Sequence, residues 1–256
     1  MPHEAKEGLV TERVRVFAFR ILAAVFGVLS ILSSALFAVE PLVSDDPIQQ
    51  SHRVHVVGGL WGFGLTGAVL LAIAVRPQNV NAFQAGLVAS VGLVVVGLAA
   101  GDLVPGFLFV GLVVSLILYA LHPHRRAALS FSGRPSALLL GLGVIALLPA
   151  GGYALTMAEL QGGPTTDPHV ELHHWSGMAG AALAIVLVGV VSGLRTEGWR
   201  LTAWLAAVAG VLFGLTSVIY PDYPGAVESP WRWLTIAMGA LFLLAASFEG
   251  RSEGSP

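Results

Sequence analysis

The chain has 256 residues, of which 55% are hydrophobic and only 11% are charged, a composition that leaves too little polar surface for a water-soluble globule. Its formal net charge of −2 gives no basis for nucleic-acid binding, so the lipid bilayer is the expected partner. The absence of cysteine excludes disulfides, thiolate metal ligands and covalent attachment of a c-type haem.

Long apolar runs predict an all-α protein that crosses the membrane several times. About 20 apolar residues span the hydrocarbon core, and such runs must be helical in lipid because every backbone N–H and C=O needs an internal partner. The charged segment 1–20 lacks a small-residue cleavage site, so we expect no removable signal peptide. Taken in chain order, the eight predicted spans are residues 18–38, 54–75, 82–101, 106–121, 136–157, 173–194, 201–220 and 232–248.

The basic residues predict the orientation of these spans. With the N-terminus on the cytoplasmic side, eleven of the 13 Lys and Arg residues fall on that side, and only Arg53 and Arg232 fall outside. An even number of spans also brings the C-terminus back to the cytoplasm. A high ratio of Arg to Lys is typical of GC-rich bacterial genomes. The predicted location is therefore a bacterial plasma membrane, with histidines and acidic residues gathered on the extracytoplasmic face.

An internal repeat divides the chain into two halves. His52 aligns with His173 at a shift of 121 residues, and the glycine and aromatic positions that follow them stay close to that register. Four spans in each half is an even number, so both halves have the same orientation. We therefore predict two pseudo-symmetric four-helix bundles, residues 1–127 and 128–256, related by an axis along the membrane normal.

Histidines at the heads of two spans are candidate metal ligands. His52 and His55 are three residues apart in the sequence. His169 and His173 are four residues apart, so each pair shares a helical face if the helix extends that far outward. Imidazoles on one face can bind a transition metal. The alternative is that these side chains lie at the level of the lipid headgroups as amphipathic anchors.

Three further polar residues carry separate expectations. Arg53 can pair with an anionic group such as a haem propionate or a lipid phosphate. The alternative for Arg53 is a structural ion pair with Asp45 or Asp46. His122 and His124 lie in a basic stretch on the predicted cytoplasmic side, and we expect both to be solvated.

Two segments resemble haem A synthase. IQQSHRVHVVGGLWGFG at 48–64 is similar to the second-helix motif of that family, and HVELHHWSGMAG at 169–180 is similar to the same motif in its other half. The resemblance implies eight helices in two bundles, a b-type haem in the outer half of the membrane, and His52 and His173 as axial ligands. Arg53 and His174 follow these two histidines, and the resemblance implies that they also contact the cofactor.

The chain departs from the pattern of that family at several positions. Gln49 stands where the family has a glutamate, so a proposed catalytic acid or base is missing. The spans 106–121 and 232–248 contain no histidine, whereas the fourth and eighth helices of the family each bring a second one to the haem. Whether the chain is an enzyme therefore stays open.

The sequence leaves three functions open. The first is a haem-binding protein in electron transfer or haem modification, a membrane oxidoreductase with respiratory-chain or haem-pathway membrane proteins as partners. The second is a protein that binds or transports copper or another transition metal at a His-rich outer mouth. The third is a non-catalytic membrane subunit or assembly factor. A retinal Schiff base is excluded, because the only lysine, Lys6, lies in the N-terminal tail.

Overall fold

The computed structural model describes residues 2–46, 50–101, 106–131 and 133–252, and every regular element in these ranges is a helix. This confirms the predicted all-α class. The bounds are α1 (Pro2–Val43), α2 (Arg53–Val75), α3 (Val80–Ala99), α4 (Gly106–Leu121), α5 (Arg125–Ala128), α6 (Ala137–Gln161), α7 (Pro168–Glu171), α8 (His174–Gly193), α9 (Trp199–Ile219) and α10 (Trp231–Ser252).

Among the described residues, six helices are long and apolar enough to cross a membrane. They are Glu12–Val43 of α1, Val80–Ala99, Ala137–Gln161, His174–Gly193, Trp199–Ile219 and Trp231–Glu249 of α10. The other two predicted spans are helical as well and contain the shorter apolar stretches Gly64–Val75 and Phe109–Leu121. A multi-pass membrane protein follows from these lengths and compositions. The count of eight crossings and their orientation stay predictions.

Side-chain caps fix where two of the long helices begin. Asn79 precedes α3, and its side-chain oxygen accepts a hydrogen bond from the N–H of Ala82 at 3.2 Å. Ser136 precedes α6, and its Oγ accepts from the N–H of Leu139 at 3.0 Å. Such caps satisfy N–H groups that the first turn of a helix leaves unpaired. Both helices therefore begin at a polar residue rather than at the first apolar one.

The eight long helices pack as two rings of four. In the first ring α1, α2, α3 and α4 contact one another in order, and α4 closes on α1. In the second ring α6, α8, α9 and α10 contact one another in order, and α10 closes on α6. The rings meet mainly where α2 and α3 face α8 and α9. Helix α8 is the most buried candidate span, at 72% against 17% for α6, so it lies at the centre of the molecule.

A buried polar network joins the two rings of helices at the C-terminal end of α8. Asn81, at the start of α3, donates to the carbonyl of Val191 at 3.0 Å and to Thr196 Oγ1 at 2.9 Å. Thr202 Oγ1 in turn donates to Asn81 Oδ1, and Thr196 Oγ1 donates to Gln84 Oε1 at 2.7 Å. Asn81 and Thr202 are fully buried. In apolar surroundings these bonds fix the register of α3 against α8 and α9.

His122 is buried, so the expectation that it is solvated was wrong. Its ring packs edge-on against Phe19 and Phe83, with centroids 4.9 and 5.1 Å away, and its side chain has no exposed surface. The backbone N–H of His124 donates to its Nδ1 at 3.0 Å. Burial lowers the pKa of the His122 imidazole to about 4, and the charges of His124 and Arg15 act in the same direction. His124 itself is exposed.

Replacing Asn81 with leucine tests the network. We expect the free energy of unfolding to fall by about 1–3 kcal/mol, because the threonine hydroxyls that bond to Asn81 keep their burial and lose a partner. Thermal unfolding of the protein in detergent measures the loss. Gln78→Leu is the control, since the side chain of Gln78 is exposed. Equal melting temperatures for the two variants would show that the network adds no stability.

The buried imidazole of His122 predicts a pH dependence of stability. The unfolded chain takes up the His122 proton near pH 6.5 and the folded chain only near pH 4, so acidification favours the unfolded state. The loss reaches about 1.4 kcal/mol per pH unit below the unfolded pKa. We expect the melting temperature to drop less between pH 7.5 and pH 5 in His122→Gln than in the unmodified protein. His124→Gln is the control and should keep the full drop.

Candidate metal centre

Four histidine rings meet at the end of the molecule where α2 and α8 begin. His52 and His55 lie at the head of α2, His169 lies in the short helix α7, and His174 is the first residue of α8. Their ring centroids are 4.8 Å apart for His52 and His169, 4.7 Å for His52 and His174, 4.8 Å for His55 and His169, and 5.3 Å for His55 and His174. Each ring from the first half of the chain therefore contacts both rings from the second half.

The geometry of these rings is close to that of a metal site. One ring nitrogen each from His52, His55 and His174 lies within 4.8 Å of the others. In a tetrahedral site with metal–nitrogen bonds of about 2.0–2.1 Å the nitrogens are roughly 3.4 Å apart, so small side-chain rotations would bring them to an ion. His52 and His55 expose only 5% and 7% of their surface, so both rings are shielded from bulk water. His169 is adjacent to the same group and supplies a fourth ring.

Several ring nitrogens in this cluster are buried without a hydrogen bond. Within the described part of the chain no hydrogen-bond partner is found for Nε2 of His169 or for Nδ1 of His174. The backbone of Pro224 interacts with the ring of His55 but can engage only one of its two nitrogens, so the other is left unpaired. Burying a polar atom unpaired costs about 1–3 kcal/mol each, so native proteins rarely retain such groups together without a reason. A bound metal ion would take one nitrogen from each of these imidazoles and so satisfy three buried groups at once.

Asp167 orients the ring of His169. The carboxylate accepts the backbone N–H of His169 at 2.9 Å and faces Nδ1 of the same residue at 2.8 Å. Burial acts to raise the pKa of Asp167, but the hydrogen bonds from His169 outweigh it and hold the pKa below its ordinary value. A proton on Nδ1 leaves Nε2 as the free lone pair. Metal-binding histidines in proteins are held by carboxylates in this way.

Gln161 ties together the two segments that carry the histidines of the second half. At the end of α6, its amide donates to the carbonyl of Val170 at 2.8 Å and its oxygen accepts the N–H of Ser176 at 3.2 Å. Val170 adjoins His169, and Ser176 lies in the first turn of α8 that His174 begins. A single buried amide thus sets the spacing between these two rings.

The turn between α9 and α10 covers the cluster. Tyr153 donates its hydroxyl hydrogen to the carbonyl of Gly225 at 2.6 Å and holds the turn against α6. Gly225 has φ of +81°, and a Cβ there would lie 2.8 Å from His55 Nε2 and 3.4 Å from the ring of Trp175. Only glycine combines this conformation with such a close approach. The turn therefore closes the site on the side of His55.

The predicted site residues are only partly brought together. His52, His55 and His169 lie in the cluster, and His174 lies there in place of His173. The predicted shared face of His169 and His173 is not formed, because the helix is interrupted after Glu171 and His173 has a left-handed φ of 57°.

The side chain of Arg53 contacts two neighbouring segments. Its Nε donates to the carbonyl of Pro41 at 3.1 Å, and its guanidinium lies 5.9 Å from the centre of the Tyr220 ring. The roles of Arg53 and His173 as cofactor ligands stay predictions. Gln49 lies outside the described residues.

Comparison with family models, with curated proteins and with solved structures gives no match for this chain.

Gly225→Ala tests whether the turn closes the cluster. We expect the added Cβ to push the turn away from His55, so that His55 becomes accessible to a histidine-modifying reagent such as diethyl pyrocarbonate. Peptide mass spectrometry measures the rate of that modification. Gly101→Ala is the matched control, because Gly101 also has a positive φ, of +67°, but no atom lies within 4 Å of its added Cβ. An unchanged rate for His55 in Gly225→Ala would mean that the turn does not close the site.

Proposed function

We propose that this chain is a multi-pass membrane protein that binds one transition-metal ion through His52, His55, His169 and His174. The observation that carries the proposal is the set of buried ring nitrogens without a hydrogen-bond partner in three of these four residues. Imidazole donors suit copper, zinc, iron and nickel. Asp167 would act as the carboxylate that holds His169 in the binding tautomer.

The metal would be captured at the extracytoplasmic face of a bacterial plasma membrane. The cluster lies at the heads of α2 and α8, whereas Arg76 and Arg195 follow the far ends of these two helices and Arg200 lies in the first turn of α9. Arginine-rich connections face the cytoplasm in most membrane proteins. On that rule the histidines face outward, where an ion from the surroundings can reach them.

Two pseudo-symmetric halves remain part of the proposal. Asn81 and Thr202 are 121 residues apart, the same shift that aligns His52 with His173, and their side chains bond to each other. Equivalent residues contact each other only near a two-fold axis. The matching order of neighbours in the two rings of helices supports the same arrangement. It is also the organisation that the resemblance to haem A synthase implies.

A haem fits this cluster less well than a single ion. The rings of His52 and His174 contact each other directly at 4.7 Å, and those of His55 and His169 at 4.8 Å, which leaves no gap for a macrocycle between them. A b-type haem on His52 and His173 is therefore our second candidate. It is supported by the organisation of the helices into two groups of four and not by the packing of the imidazole rings.

The metal content of the purified protein tests the first candidate. We expect about one ion per chain by elemental analysis when the protein is produced with added copper or zinc. His55→Ala and His174→Ala should lower the affinity by more than tenfold, and Asp167→Asn by roughly tenfold or more, since a lost second-shell carboxylate typically costs 10–100-fold. His124→Ala is the matched control, because His124 is exposed at the opposite end of the molecule.

An absorption spectrum of the same preparation decides between the candidates. A Soret band that weakens in His52→Ala and His173→Ala would favour the haem. Stoichiometric metal without that band would support the four-histidine site. A preparation with neither metal nor haem, after growth with both supplied, would contradict both candidates and favour a non-catalytic subunit or assembly factor.

A further inference from the structure

We infer that the four-histidine site selects monovalent copper, Cu(I), over divalent ions. The inference rests on the proposed function, since it concerns which ion the same side chains hold. The ligand group found among the described residues consists of histidines alone and includes no carboxylate. Neutral imidazoles cancel none of the charge of a bound ion.

The charged groups next to the cluster balance each other. Asp167 contributes one negative charge behind His169, with about a third of its side chain exposed. Arg53 contributes one positive charge beside His52. The remaining carboxylates with described side chains on the neighbouring connections are exposed to solvent, where water screens their charge, and these are Asp45, Asp46, Glu159, Glu171, Asp222 and Glu228. A bound ion would therefore keep nearly its full charge inside the protein.

Because the site is buried, the charge of the ion decides which ion binds more tightly. The free energy needed to move an ion from water into a medium of low polarity rises with the square of its charge, so a divalent ion meets about four times the penalty of a monovalent one. His52 and His55 are more than nine-tenths buried, and Val54 between them exposes 2%. Structural zinc sites commonly offset part of that penalty with thiolate ligands, and many catalytic sites include a carboxylate. Among the described residues, the ligands of this cluster are imidazoles alone.

Two buried methionines in the apolar core that includes the neighbours of His55 and His174 act in the same direction. The chain has four methionines, and Met157 and Met178 are buried at 4% and 1% exposure in one apolar cluster with Val54 and Trp175. Met178 lies one helical turn beyond His174, and Met157 lies one turn before Gln161. Thioethers are donors that favour Cu(I), and their polarizable sulfur also accommodates a cation better than alkyl carbon does. This effect of the sulfurs requires no bond between them and the ion.

Competition between ions tests the inference on the full-length protein. We expect Cu(I), presented under anaerobic reducing conditions against bicinchoninate, to bind at least about 100-fold more tightly than Zn(II) presented against a zinc chelator. Copper added as Cu(II) with a mild reductant should be retained in a form silent in electron paramagnetic resonance. Zinc that binds as tightly as Cu(I), or a stoichiometric Cu(II) signal that persists with the reductant, would overturn the inference and leave the proposed function standing.

Two charge-changing variants should move the ratio of the two affinities in opposite directions. His174→Asp adds an anionic ligand and should shift the ratio toward zinc by about tenfold or more, since carboxylate oxygen suits Zn(II). Asp167→Asn removes the nearby negative charge at a partly exposed position and should shift the ratio toward Cu(I). His124→Asp is the matched control and should leave the ratio unchanged.

The two variants are judged separately. Equal ratios in Asp167→Asn and the unmodified protein would overturn the charge argument even if His174→Asp failed to fold. Failure of the unmodified protein to bind any of the three ions would instead overturn the proposed function, and the inference with it.

Discussion

A polar side chain held between apolar helices must find a partner inside the protein, and this requirement distinguishes the two ends of the molecule. At one end Asn81, Thr196 and Thr202 satisfy one another, and Gln84 extends the same set of bonds. At the other end the ring nitrogens of His55 and His169 are equally buried, but part of their bonding capacity is unused among the described residues. The first arrangement is complete without a ligand. The histidine cluster would be completed by a ligand. For this reason we assign a structural role to the Asn81 network and a binding role to the histidine cluster.

The helices could be predicted from the sequence because in a bilayer the length of an apolar run is itself a structural constraint. The predicted span 201–220 corresponds to Trp199–Ile219, and 173–194 corresponds to His174–Gly193. It was harder to predict from the sequence which side chains are buried between helices. His122 stands beside His124 and two arginines in the sequence, and this suggested solvent. Its burial depends on Phe19, about a hundred residues away, and no local pattern reports such a contact.

The site was predicted in part, and the error has a local cause. His52 and His55 adjoin one continuous helix, so their spacing was informative. His169 and His173 are separated by a helix end, so the four-residue spacing did not place them on one face. The dipeptide Asp167–Pro168 is typical of a helix start and could have predicted the separate short helix α7. Asn81 and Gln84 near the start of an apolar span were a similar unused signal for contacts between helices.

The ligands of the cluster come from both halves of the chain, with His52 and His55 from the first and His169 and His174 from the second. The Asn81 network joins the same halves at the far end of α8, whose 20 residues separate the two points by about 30 Å. Between these two points α2 and α3 pack against α8 and α9. An ion bound to the four rings would therefore cross-link the two halves at the end of their interface where the described residues form no polar network, and the Asn81 bonds would hold the other end.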